Sequence, residues 1–197
     1  MIIDRQTWSI ADCKILLDLT THLSFPMIWR EGEHIYVCPE NYQSGAWNLY
    51  EYNTNSDSLE FIKPVLSEKL TDATIFKDGS DYYILSTYEP RPNGNTLTIW
   101  KSSSPDGTFV KTQEIKFPEN IARNAGSIFS YNGKLIRPAQ ECNKSYGHAV
   151  SFQAVTLENG LAVIDVHKLR FPVLGGIYVG LKELLVKRHL KKPFEIK

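Results

Sequence analysis

The sequence predicts an all-β fold, a β-propeller with three full four-stranded blades and partial blades beside them. Three observations predict it. A strand–turn–strand phrase recurs at residues 24–29 before Glu31-Gly32, 72–76 before Asp78-Gly79, and 125–129 before Asn132-Gly133. The turn glycines Gly32, Gly79 and Gly133 lie 47 and then 54 residues apart, the period of one propeller blade. Each phrase is followed by two further stretches in which large apolar and polar residues alternate, the pattern of half-buried strands.

The elements follow in order. Second strands are expected at 34–38, 82–85 and 134–136, and third strands at 47–52, 97–100 and 148–152. Outer strands are expected at 59–66 and 109–117. The pattern at 8–10 leading to 15–17 resembles them, so the chain is expected to open on the last strands of a blade whose first three are absent. This gives a propeller domain over 1–170, with blades at about 21–67, 68–118 and 119–156 and blade remnants at 1–20 and 157–170. Residues 171–197 read as a C-terminal tail. Within it Tyr178, Leu181, Leu184, Leu185 and Leu190 recur at helical spacing up to Pro193, with Lys182, Lys187, Arg188 and Lys191 between them. A helix packed on the propeller is expected there in preference to one lying on lipid.

Lys plus Arg equals Asp plus Glu, 22 each, which argues against a broad polyanion-binding face and so against nucleic acid as a partner. No apolar run is long enough to span a membrane as a helix. The three cysteines, Cys13, Cys38 and Cys142, are odd in number and lack zinc-ligand spacing. With no signal-peptide pattern at the start, they predict free thiols in a cytoplasmic protein. No metal or other cofactor is implied. The aromatic residues read mainly as filling for blade faces, with a few left to line a sugar or ring pocket.

No nucleophile elbow, phosphate loop or dinucleotide fingerprint is present. The candidate site residues are polar side chains at strand starts and just after second strands: His22, Glu40, Asp72, Arg123, Arg137, Gln140, Glu141 and Tyr146. Inner strands of a propeller converge on one axis, so these are expected to meet in an axial pocket. Asp72 opens an otherwise apolar strand; its carboxylate can serve as base, acid or hydroxyl acceptor there, or cap a turn. Arg137 can clamp a carboxylate, phosphate or sugar hydroxyls, or form a structural ion pair with Glu40 or Glu141. Without ligand it is expected to be held by Glu40, Asp72 or Glu141. Pro138 removes a ladder donor, so its segment is expected at an edge or bulge.

Residues 72–86, from Asp72-Ala73-Thr74-Ile75-Phe76 through Asp78-Gly79 to Ser86, resemble the strand–turn–strand signature of glycoside hydrolase family 43 five-bladed propellers, and 103–109 resemble the approach to their outer strand. Three further segments are similar to the N-terminal propeller of plant glucosamine inositolphosphorylceramide transferases and of bacterial surface-polysaccharide proteins, some fused to formyltransferases. They are 22–26 with 38–40; 72–76; and 123–126 with 137–142 and Tyr146-Gly147. Family 43 enzymes use an Asp base, a second Asp that tunes pKa and a Glu acid. Only Asp72 keeps a matching position, and Asn124-Ala125-Gly126 stands where the acid's blade would carry Glu. The resemblance therefore implies a carbohydrate-recognition propeller with reduced or no catalysis, serving glycan or surface-polysaccharide synthesis. Glycosyltransferase or formyltransferase partners are implied, and self-association through open blade edges is expected. The alternatives are a glycosidase or sugar-transfer enzyme using Asp72 with Glu40 or Glu141, and a protein-interaction propeller.

Overall fold

A computed structural model describes residues 2–4, 6–88, 94–158 and 161–172. Its frame is three four-stranded antiparallel sheets, each a meander of sequential strands. The first blade holds β3 (Ser24–Glu31), β4 (His34–Glu40), β5 (Trp47–Asn53) and β6 (Ser58–Leu66). The second holds β7 (Leu70–Asp78), β8 (Asp81–Tyr88), β9 (Thr96–Ser102) and β10 (Val110–Lys116). The third holds β11 (Phe129–Tyr131), β12 (Lys134–Glu141), β13 (Ala149–Glu158) and β14 (Leu161–Pro172). A separate pair joins β1 (Ile2–Ile3) to β2 (Ile10–Asp12).

The repeated turns behave as their residues dictate. Gly32 and Gly79 take φ of +60° and +59°, and Asn132-Gly133 take +49° and +72°. Two-residue hairpins need positive φ at these positions to match strand twist, and glycine and asparagine tolerate it best. Alternation then turns one row of each sheet toward its neighbour. Met27, Cys38, Trp47 and Leu49 of the first blade pack on Ala73, Ile75, Ile84 and Trp100 of the second. On the other side Tyr83, Leu85, Leu97 and Ile99 meet Val155 and Ala162 of the third blade. These interblade layers are the core, and they fix the inner strands beside one another.

Two expectations change. Residues 161–172 are not the remnant of a further blade: β14 pairs with β13 from Ala149↔Pro172 to Glu158↔Leu161 and completes the third sheet. The tail therefore begins after Pro172, and the helix expected near 181–191 lies outside the described residues. At the other end, 15–17 form no strand, and among the described residues β2 pairs only with β1. An outer strand needs a third strand for its ladder, and none of the three blades has a free one. Trp8 and Ile15 are accordingly exposed.

Both full inner strands are interrupted at the same place. Register shifts fall between Ser24 and Met27 in β3 and between Thr71 and Thr74 in β7. Phe25 and Asp72 sit within them at φ +39° and +49°. A bulge of this kind re-aims the side chain it carries. In the third blade the corresponding stretch is looser: one bridge, Asn124↔Ala139, plus Ala125 N donating to Pro138 O and Gln140 N to Arg123 O. Pro138 lies inside the sheet, paired with Phe152, but its missing N–H belongs to this irregular inner side. The expected bulge and the proline thus coincide.

Candidate functional site

Asp72 is the centre of the site. Left-handed backbone is costly for most residues, and Asp and Asn bear it best. Here the bulge turns the carboxylate across the gap to the third blade. Arg123 Nε donates to Asp72 Oδ2 at 2.6 Å, and Gln140 Nε2 donates to the same oxygen at 2.7 Å. The first blade reaches Asp72 through its backbone: its N–H donates to Glu40 Oε2 at 2.6 Å, while Ser24 Oγ donates to Glu40 Oε1 at 3.1 Å. Asn124 Nδ2 donates to Asp72 O and to Leu85 O, both at 2.7 Å. Three blades therefore meet at one residue.

Burial sets the electrostatics. Glu40, Asp72, Arg123 and Glu141 are all buried. Burial pushes the Glu40 carboxyl above its ordinary value; the Asp72 N–H opposes this and the Asp72 charge adds to it. Burial alone would lower the Arg123 guanidinium. Its hydrogen bond and charge pairing with Asp72 outweigh that and hold it above the ordinary arginine value. The Arg123–Asp72 pair is a desolvated salt bridge, with side chains 10% and 6% exposed.

Arg137 behaves differently from the expectation. It is fully buried and, among the described residues, touches no carboxylate. Its Nε donates to Asn124 Oδ1 at 2.7 Å and its Nη1 to Gln153 Oε1 at 2.5 Å. The carbonyl of Ile121, at 3.4 Å from Nη1, and that of Ala122 complete the cage. Burial pushes the guanidinium down to about 9, so it still carries its charge at neutral pH. The reason is strand phase. Counting from the turn, Arg137 occupies the position of Ile84, which faces the preceding blade rather than the axis. Arg137 acts behind the site, through Asn124.

The mouth is aromatic. The Arg123 guanidinium lies 4.9 Å from the centre of the Tyr146 ring, and Tyr146 is 66% exposed. Beside them opens a hollow of about 280 Å³ lined by Phe25, Ala125, Gln140, Tyr146, Ala149 and Val150, with Gly147. Of the expected residues, Glu40, Asp72, Arg123, Gln140 and Tyr146 thus come together. His22 does not join them: it is exposed, and its backbone N–H donates to Gln43 Oε1. Glu141 is buried one residue beyond Gln140 and accepts from Asn143 Nδ2 at 3.2 Å. Asn124, Gln153, Ser24 and Phe25 were not among the candidates. Gln153 carries a signal in the sequence, a polar residue in phase with apolar neighbours on β13; Asn124 lies outside the strands, and the role of Phe25 depends on the bulge.

The hollow is lined by the Gln140 amide and the rings of Phe25 and Tyr146, with the Asp72–Arg123 pair bonded behind Gln140, an arrangement that suits a polyhydroxylated ring with a ring face on Tyr146. It suits proton transfer less well. Asp72 Oδ2 already accepts two hydrogen bonds, and both oxygens of Glu40 are engaged by Ser24 and the Asp72 amide.

Comparison with known proteins agrees with this frame. The family described as glucosamine inositolphosphorylceramide transferase 1, N-terminal, matches residues 3–167. Glucosamine inositolphosphorylceramide transferase 1 of Arabidopsis thaliana is 35% identical over 144 residues, covering 69% of this chain and 19% of that protein. Its counterpart in Oryza sativa subsp. japonica is 27% identical, covering 76% and 21%. The chain thus spans about a fifth of the length of these relatives. Among solved structures, an exo-β-1,3-galactanase of Phanerochaete chrysosporium with β-1,3-galactotriose superposes with TM-score 0.59 at 10% identity, over 76% of this chain and 38% of that one. A glycoside hydrolase family 43 β-1,3-galactosidase gives 0.60 at 12%, over 78% and 35%. At such identities these two show the fold alone, a family 43 propeller. The chain belongs to the family of glucosamine inositolphosphorylceramide transferase N-terminal domains.

Proposed function

We propose that this chain is a carbohydrate-recognition propeller that binds a sugar or sugar-containing ligand at Asp72 without hydrolysing it, in the service of glycan synthesis. The observation that carries the reading is the convergence of Glu40, Asp72, Arg123 and Gln140, from three blades, beside a hollow lined by Tyr146 and Phe25. The relatives' name, a glucosamine inositolphosphorylceramide transferase, supports a glycan-related setting. It also supports a glycosyltransferase activity as the working partner of the domain. A formyltransferase partner rests on the resemblance to bacterial polysaccharide proteins. Three unpaired cysteines, with Cys13 exposed, support a reducing, cytoplasmic compartment.

Hydrolysis needs a carboxyl acid and a second carboxyl group flanking the scissile bond. Burial raises the Glu40 carboxyl, the direction a general acid needs. Its two oxygens, however, are turned to Ser24 and the Asp72 amide rather than left to a ligand.

Calorimetric titration with galactose, glucosamine and myo-inositol tests the reading. At least one should bind in the millimolar range. Tyr146→Ala should weaken it by about 5- to 30-fold, the worth of one ring contact of about 1–2 kcal/mol. Equal binding by Tyr146→Ala, or turnover of aryl glycosides abolished by Asp72→Asn, would refute it.

A further inference from the structure

The three hairpins fix which residues of the inner chains are equivalent, because Glu31↔His34, Asp78↔Asp81 and Tyr131↔Lys134 close them. Counting back from these turns, Met27, Thr74 and Ser127 hold the same place. They meet: the hydroxyls of Thr74 and Ser127 both point their donors at the Met27 sulfur, at 3.5 and 3.6 Å. The inner chains of all three blades therefore converge at this level, and the Met27 thioether fills the space between them. One layer further out, Phe25, Asp72 and Ala125 are equivalent in the same way. Phe25 and Ala125 line the hollow, and Asp72 accepts from Gln140, which lines it too. The hollow is thus the outer end of the axis, above the Met27 plug.

Phe25 is the residue of this layer that backbone chemistry does not favour. Asp72 bears its left-handed backbone well and puts its charge against Arg123. Phe25 sits at φ +39°, and a bulky side chain there is a genuine outlier. Strain of this sort persists where the surroundings over-determine it, and it clusters at ligand sites. Core packing does not account for it, because Phe25 is only half-buried and belongs to neither interblade layer. Glycine would make the same bulge at lower cost. We infer that Phe25 is a specificity-determining wall of the site: the bulge in β3 brings its ring to the hollow, where it takes the C–H face of a sugar or cyclitol ring while Gln140 takes hydroxyls. The inference rests on the sugar-site reading above and narrows it. The ligand is a closed ring with an apolar face, because an open-chain polyol has hydroxyls but no such face to lay on an aromatic wall.

The test is calorimetric titration of the full chain with galactose, glucosamine, myo-inositol and sorbitol, beside urea unfolding, for Phe25→Ala, Phe25→Gly and Phe25→Tyr. Phe25→Tyr keeps a ring and should bind within about 3-fold of the wild type. Phe25→Ala and Phe25→Gly should each bind about 5- to 30-fold more weakly, and by the same factor as each other. Their stabilities should nonetheless differ. Glycine accepts the positive φ that alanine resists, so the urea midpoint of Phe25→Gly should lie about 0.3–0.5 M above that of Phe25→Ala. Sorbitol should bind the wild type at least about 10-fold more weakly than the best ring. A role through the fold alone would make affinity follow stability, with Phe25→Gly binding better than Phe25→Ala. That result, coincident midpoints, or sorbitol binding as tightly as any ring would overturn the inference. Unchanged affinity in Phe25→Ala beside a loss in Tyr146→Ala would overturn it and leave the sugar-site reading standing. A wild type that binds none of the three rings would overturn both.

Discussion

Replacing Asp72 separates its two duties, the charge it gives Arg123 and the left-handed backbone it tolerates. Asp72→Asn keeps a residue that accepts φ +49° and removes only the charge. Removing one partner of a buried ion pair costs about 3–5 kcal/mol. Arg123 keeps the face of Tyr146 at 4.9 Å, a contact of about 0.5–2 kcal/mol that offsets part of this, so about 2–3 kcal/mol is expected. Asp72→Ala loses the same charge and adds about 1–2 kcal/mol, because alanine lacks the short polar side chain that lets Asp and Asn bear left-handed backbone. The total is about 4 kcal/mol. In urea, with a slope of about 2 kcal/mol per molar, the midpoint should fall by about 1–1.5 M for Asp72→Asn and about 2 M for Asp72→Ala. Variants that unfold at the same urea concentration as each other, or within about 0.3 M of the wild type, would refute the reasoning.

Other outcomes follow from the same network. Arg137→Met should cost at least 3 kcal/mol, read by thermal or urea unfolding, because Asn124, Gln153 and two carbonyls lose their shared donor together. The pH profile should show Glu40. Its folded value lies above 4.5, so between 4.5 and that raised value the folded state keeps a proton the unfolded chain has lost, and stability from this group falls as pH rises through that window. Glu40→Gln should flatten that slope. Glu31, held low by Lys77 and Tyr82, and Asp57, held low by Tyr52 and Lys14, act in the opposite sense as pH falls below their ordinary values, so the two effects separate in an unfolding series from pH 3 to 7.

The blades were legible because strand period and turn chemistry are local properties. Gly32, Gly79 and Gly133 mark hairpins whatever surrounds them, and the alternation after each marks which residues share a face. The pocket was legible for the side chains whose position in the repeat puts them near the axis: Glu40 and Gln140 occupy equivalent places at the ends of β4 and β12, counted from their turns. Arg137 was misread because charge was weighed above phase; its place in the strand matches Ile84 and points between blades. His22 precedes β3 and lacks the bulge that brings Asp72 inward, so its side chain is left at the surface. The fate of 15–17 and of 161–172 depended on which ladder had a vacant edge, a non-local fact that a strand pattern alone does not encode.

The central claim is that Asp72 organises a sugar site where three blades meet. Amide chemical-shift mapping during titration with galactose, glucosamine or myo-inositol tests it most directly. The account predicts saturable shifts at about millimolar ligand, concentrated on Phe25, Asp72, Ala125, Gln140, Tyr146 and Gly147 and absent in Asp72→Asn. Shifts centred elsewhere on the propeller, or none up to saturating sugar, would contradict it.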